Sequence, residues 1–114
     1  MDAMVDEAVV SADEMAKNSR AACEFLKAMS HETRLRVLCI LMEGEKSVSE
    51  LEESLGIRQA SVSQQLQRLR AERMVTTRRD GKAVYYSLAS NEAREVIAVL
   101  YKLFCAKSTD SNCP

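Results

Sequence analysis

The chain has 114 residues, 46% hydrophobic and 29% charged, which suits a single folded domain and leaves little room for a second. Its longest apolar run, Val37 to Met42, is too short to span a bilayer, and its acidic start lacks the basic residues and apolar stretch of a signal peptide. A cytoplasmic protein with no membrane segment is expected. The formal net charge of −1 averages two unlike regions: five acids and no base in the first fourteen residues, against seven bases and two acids from Arg58 to Lys82. Local charge, not the total, sets attraction to phosphate.

Taken in order, residues 1–10 read as a flexible acidic N-terminus and residues 11–106 as one domain. Ser11 with Glu14 fits a capping box opening a helix to about residue 29, with Met15, Ser19, Ala22, Cys23, Leu26 and Met29 along one side. Ser30 is the expected cap of a second helix, in which Leu35, Leu38, Cys39 and Met42 repeat at helical spacing and after which Gly44 follows. This should be the central buried helix. Ser47 with Glu50 fits another capping box, Val48, Leu51 and Leu55 recur at helical spacing, and Gly56 can supply a left-handed stop.

The next helix carries Val62, Leu66 and Leu69 on one side and Gln59, Ser63, Gln64 and Gln67 on the other. A merely solvated face would more typically carry Glu and Lys. Amides and hydroxyls are what base edges pair with in a major groove, so residues 47–74 predict a helix-turn-helix. Beyond residue 75 the period changes. Two runs rich in β-branched and aromatic residues, 75–79 and 83–88, flank Asp80-Gly81, a strong hairpin signal. Arg78, Arg79 and Lys82 sit at its tip, where they would meet backbone phosphates; the bland reading is a solvated hairpin end. A last helix, from about residue 91 to 106 and capped by Ser90 or Asn91, carries Val96, Ile97, Val99, Leu100, Leu103 and Phe104 around more of its surface than one core needs. With the first helix it is the expected dimer interface. Residues 107–114 form a polar, flexible tail.

This order of elements, mainly α with a small β-hairpin, describes a winged helix-turn-helix. The chain resembles the ArsR-type family of small bacterial repressors in Phe25-Leu26-Lys27-Ala28-Met29-Ser30-His31-Glu32-Thr33-Arg34-Leu35, in Ser61-Val62-Ser63-Gln64-Gln65-Leu66, and in Arg78-Arg79-Asp80-Gly81-Lys82 before Tyr85-Tyr86. The resemblance implies a homodimer on a palindromic double-stranded operator, with Gln59, Ser61, Ser63 and Gln64 approaching bases and Arg78, Arg79 and Lys82 along the backbone. Ser47 and Arg68 complete the expected DNA-binding set. Arg73 stands where the family often has Gly closing the recognition helix, and His31 takes a structural place at a helix start. Many relatives sense metals through paired cysteines on the first helix of the helix-turn-helix, but here those positions read Ser49-Glu50-Leu51-Glu52-Glu53. No metal and no cofactor is expected, and no arrangement of residues predicts an enzyme.

The four cysteines, Cys23, Cys39, Cys105 and Cys113, contain no C-x-x-C pair and are expected as thiols in the cytoplasm. Singly, Cys39 and Cys105 read as small apolar residues. Together, 66 residues apart, they resemble the persulfide-sensing SqrR/BigR-like branch of the family. That resemblance implies that reactive sulfur species link them through a disulfide or a longer sulfur chain and release the DNA. Two alternatives stand beside it: a regulator of peroxide or disulfide stress using the same thiols, and a dimeric interaction module or anti-repressor without operator binding. Cys23 reads as helix packing and Cys113 as a tail thiol.

Overall fold

The computed structural model describes residues 11–105; the expected acidic N-terminus, the tail and Cys113 lie outside the described residues. The first helix, α1 (Ala12–Met29), opens on the predicted capping box: the Ser11 hydroxyl accepts from the Glu14 N–H at 3.1 Å, and the Glu14 carboxylate accepts from the Ser11 N–H at 3.3 Å. Only Ala28 and Met29, in its last turn, are buried.

The second helix, α2 (Glu32–Leu41), is capped by His31 and not by the expected Ser30. An N-cap must be extended, and His31 is (φ −129°, ψ 129°), so its imidazole Nδ1 can accept from the Thr33 N–H at 3.2 Å. Ser30 instead closes α1, its hydroxyl donating to the Lys27 carbonyl at 3.2 Å. The structural place expected for His31 is thereby given a bond. As predicted, α2 is the central helix, in contact with α1 and with every later helix introduced below. Its buried face is wider than the stripe suggested: Val37, Leu38, Ile40 and Leu41 are buried, whereas Leu35, Cys39 and Met42 are half-buried at the margin.

A two-residue strand, β1 (Lys46–Ser47), leads into α3 (Val48–Leu55), where the Ser47–Glu50 capping box forms with bonds of 3.1 and 2.8 Å. Gly56 stops α3 in the left-handed conformation (φ 70°), in which it donates to the Glu52 carbonyl at 2.8 Å. Then α4 (Gln59–Ala71) buries Val62, Leu66 and Leu69 completely. With Val37 and Leu38 of α2, Leu51 of α3 and Met74, these are the largest fully buried side chains, so the core is centred on the helix-turn-helix.

Arg73 resolves how α4 ends without a glycine. It is the non-glycine residue with a left-handed backbone (φ 61°), its N–H bonds the Arg70 carbonyl at 2.9 Å, and the Met74 N–H bonds the Leu69 carbonyl at 2.9 Å. This is a Schellman closure, with Met74 buried beneath it. A left-handed side-chain-bearing residue costs roughly 1–2 kcal/mol, while glycine loses roughly 0.5–1 kcal/mol more backbone entropy on folding. Arg73→Gly is therefore expected to stabilise the protein by roughly 0.5–1 kcal/mol, raising Tm by about 2–8 °C. An unchanged or lower Tm by calorimetry would show that the conformation carries no such penalty.

The chain continues as β2 (Val75–Asp80), a tight turn, and β3 (Ala83–Leu88). Asp80 pairs with Ala83, so the two turn residues are Gly81 and Lys82, one position later than the Asp80-Gly81 pair predicted; Gly81 supplies the positive φ of 65°. The antiparallel sheet has the order β1-β3-β2. Its third strand was not predicted, because two residues are too short to show a period. Last comes α5 (Asn91–Phe104), where Ser90, one of the two expected caps, accepts from the Ala93 N–H at 3.0 Å. Ala93 and Ile97 are buried, while Val99, Tyr101, Leu103 and Phe104 are more than half exposed, as are Met15 and Leu26 of α1. Among the described residues no helix is long and apolar enough to cross a membrane.

Candidate nucleic-acid interface and thiol cavity

The apolar side of α4 locks it into the core and thereby fixes which residues face outward. Gln59, Ser61, Gln64, Gln67 and Arg68 are exposed, and Ser63 is half-buried. Ser61, Gln64 and Arg68 follow at helical spacing on one face. Arg68 is within 3.7 Å of Glu72, one turn on, an exposed pair of the kind that contributes little. Ser47 is not part of this helix. It sits where β1 meets α3, half-buried, its hydroxyl engaged in the cap and its backbone paired with Tyr85.

The three basic residues of the wing are not equivalent. Arg78 donates to both carboxylate oxygens of Glu45, at 2.7 and 2.8 Å, and its guanidinium lies 4.7 Å from the centre of the Tyr85 ring. The hydrogen bond from Arg78 holds the Glu45 carboxyl below its usual range, and the same bond raises the guanidinium's hold on its proton. Arg79, its neighbour on the strand, points to the opposite face of the sheet. Arg79 and Lys82 are exposed and have no ion pair among the described residues.

Cys39 on α2 and Cys105, the residue that ends α5, line one cavity of about 640 Å³. Leu35, Leu100, Tyr101 and Phe104 make most of its wall, and Glu32 and Arg36 supply charged groups. Cys39, half-buried, also borders a second space of about 240 Å³ beside Met42 and Ile97. Burial pushes the Cys39 thiol above the usual cysteine value. Cys23 and Cys39 are thiols, as expected. Cys105 departs from that expectation and is disulfide-bonded; with Cys39 a thiol, no Cys39–Cys105 bond is present. Cys105 caps the C-terminal end of α5 and is half-buried.

Two residues that join α4 to its surroundings were missed in the sequence. Arg34 donates to the Gln65 side-chain oxygen at 2.8 Å and to carbonyls at the end of α1. The available signal was an amide at position 65, three residues after Val62 and four before Leu69, a polar group on an otherwise apolar side. Glu45 gave no local signal, since its partner lies 33 residues away.

Residues 31–77 match the family described as bacterial regulatory protein, arsR family. The chain is 42% identical over 98 residues to the transcriptional activator HlyU of Vibrio cholerae, covering 86% of this chain and 91% of that protein. It superimposes with a TM-score of 0.77 on the crystal structure of the transcriptional repressor BigR from Xylella fastidiosa, at 40% identity, covering 89% of this chain and all of that one. A homodimeric winged helix-turn-helix DNA-binding domain from Mycobacterium bovis, a possible ArsR-family regulator, superimposes with a TM-score of 0.71 at 25% identity, over 83% of this chain and 88% of that one.

Proposed function

Since the chain belongs to the arsR family of bacterial regulatory proteins and is a winged-helix transcriptional regulator, we propose that it is a dithiol-switched repressor that binds operator DNA when reduced and releases it once reactive sulfur species link Cys39 to Cys105. The observation that carries this reading is the one cavity lined by both cysteines, one on the central helix and one at the end of α5. Cys105 is disulfide-bonded in the structure, so the DNA-competent form in this reading is the one in which two equivalents of a small thiol have reduced that bond and left as their own disulfide.

The protein acts in the cytoplasm as a homodimer joined through α1 and α5, whose exposed Met15, Leu26, Val99 and Leu103 would be covered by the partner. Gln59, Ser61, Ser63 and Gln64 approach base edges, Ser47 and Arg68 flank them, and Arg79 and Lys82 meet phosphates. Arg78 does so only by giving up Glu45. Two such helices reach half-sites about one DNA turn apart.

The chemistry balances with the persulfide itself as the two-electron oxidant. A thiolate of the pair attacks the outer sulfur of a persulfide RSSH, breaking its S–S bond and releasing RSH. The second thiolate then attacks the cysteine-bound sulfur of the new persulfide and expels hydrosulfide, which leaves as hydrogen sulfide. Two thiols and one RSSH thus give one disulfide, one RSH and one hydrogen sulfide, the outer sulfur of RSSH taking the two electrons. Each further RSSH inserts one sulfur into the bridge and leaves as RSH. A longer bridge spans thiols that a plain disulfide, limited to Cα atoms within about 7 Å, cannot join.

Two outcomes follow. Cys105→Ser is expected to bind operator DNA with wild-type affinity and to stay bound when persulfide is added; if it fails to bind DNA while remaining folded, the thiol has a structural role and the switch is wrong. Only a thiolate attacks, and burial raises the Cys39 value, so less thiolate is present at a given pH. Linking should therefore accelerate by about tenfold per pH unit between roughly pH 6 and 8. Alkylation quench followed by mass spectrometry measures this, and a pH-independent rate would exclude Cys39 as the attacking group.

A further inference from the structure

Arg34 lies near the start of α2, half-buried, and its hydrogen bonds all lead to other helices. Nε donates to the Ala28 carbonyl at 2.6 Å and Nη2 to the Lys27 carbonyl at 3.3 Å. These carbonyls belong to the last turn of α1, where the helix runs out of N–H donors and Lys27 is otherwise met only by Ser30, and a cation there is favoured by the helix dipole. The third bond, from Nη1 to Gln65 Oε1 at 2.8 Å, ends in the middle of α4. One guanidinium therefore ties the end of α1 to the helix that carries Ser61 and Gln64. Burial and the nearby Arg68 both act against its charge, so the three oxygens are what hold the group in place. Gln65 is half-buried and turned toward this bond, away from the exposed polar face of its own helix.

Val62, Leu66 and Leu69 fix the depth of α4 in the core and which of its sides faces outward, but apolar contacts are non-directional and do not set the fine rotation of the helix about its own axis. A directional bond beside them does fix it. We propose, resting on the reading of α4 as the base-reading helix of a dimer joined through α1 and α5, that Arg34 is a positioning residue: through Gln65 it sets the pose of α4 against α1, and with it the half-site spacing the dimer prefers. The bond does not depend on the thiols, so the role holds whether or not Cys39 and Cys105 form a switch.

The test uses the full chain and the DNA it selects from a random-sequence library, with additional probes whose half-sites are one base pair nearer or farther. Gln65→Met keeps the length of the side chain and removes the acceptor, whereas Gln65→Glu keeps an acceptor for the guanidinium. Gln65→Met is expected to bind the selected spacing about tenfold more weakly, as for a lost charged hydrogen bond, and to discriminate less among the three spacings. Gln65→Glu should stay within about threefold of wild type on the selected spacing and keep its preference. Adding Arg34→Met to Gln65→Met should cost little more DNA affinity than Gln65→Met alone, because the one bond by which Arg34 reaches α4 is already gone and its other two bonds end on α1. Wild-type affinity and spacing preference in Gln65→Met would overturn the proposal. So would Gln65→Glu as weak as Gln65→Met, or fully additive effects of the two sites. If Arg34→Met does not fold, the two Gln65 variants decide alone. A wild-type protein that selects no DNA would instead overturn the reading of α4.

Discussion

Replacing Arg79 and Lys82 together with Ala is expected to weaken operator binding by about two orders of magnitude at physiological salt and to flatten its salt dependence. Each phosphate contact releases condensed counterions and adds about 0.9 to the slope of log affinity against log salt. Two residues in each of two protomers remove up to four contacts, a loss of about 3.6 from that slope. Arg78→Ala should change the slope less than Arg79→Ala does, because the Arg78 guanidinium is already held by both oxygens of Glu45 and must exchange them for phosphate. Titrations at several salt concentrations separate these cases. An unchanged slope in the Arg79/Lys82 variant would remove the wing from the interface and favour an interaction module over a DNA-binding one.

The largest stability effect is expected at Leu66. Its side chain is fully buried with Leu38 of α2 and Leu51 of α3, and it is one of three residues that hold α4 in the core. Leu66→Ala loses the transfer free energy of the removed carbons and leaves a cavity that the rigid helix cannot close, for a cost of roughly 3–5 kcal/mol. In a domain whose whole stability is about 5–15 kcal/mol, that lowers Tm by more than about 10 °C and loosens the recognition helix first. A loss below about 1 kcal/mol by denaturant titration would mean that α4 is not anchored here.

What could be read from the sequence was local. The capping boxes at Ser11 and Ser47 and the stop at Gly56 each involve residues within a few positions of one another, and each formed as expected. So did the apolar side of α4 and the two-stranded wing. The features that escaped connect distant residues or depend on backbone angles. His31 displaced Ser30 as a cap because its backbone, not its side-chain type, is extended. The strand β1 exists only because β3 offers it an edge. The bonds from Arg34 to Gln65 and from Arg78 to Glu45 span 31 and 33 residues. Cys39 and Cys105 lie farther apart still in the chain, and only a family resemblance paired them; their common cavity is a property of how α5 packs on α2. The left-handed Arg73 marks the one place where the recognition helix ends against its local preference.

Operator affinity measured on one sample before and after persulfide treatment, with the mass of the Cys39–Cys105 peptide pair read from the same sample, tests the thiol switch most directly. A link that shifts the dimer between two arrangements with a coupling of roughly 1–3 kcal/mol should lower affinity about 5- to 150-fold, and reduction should restore it. Protein whose linked peptides are confirmed by mass and which still binds the operator as tightly as the reduced form would contradict it.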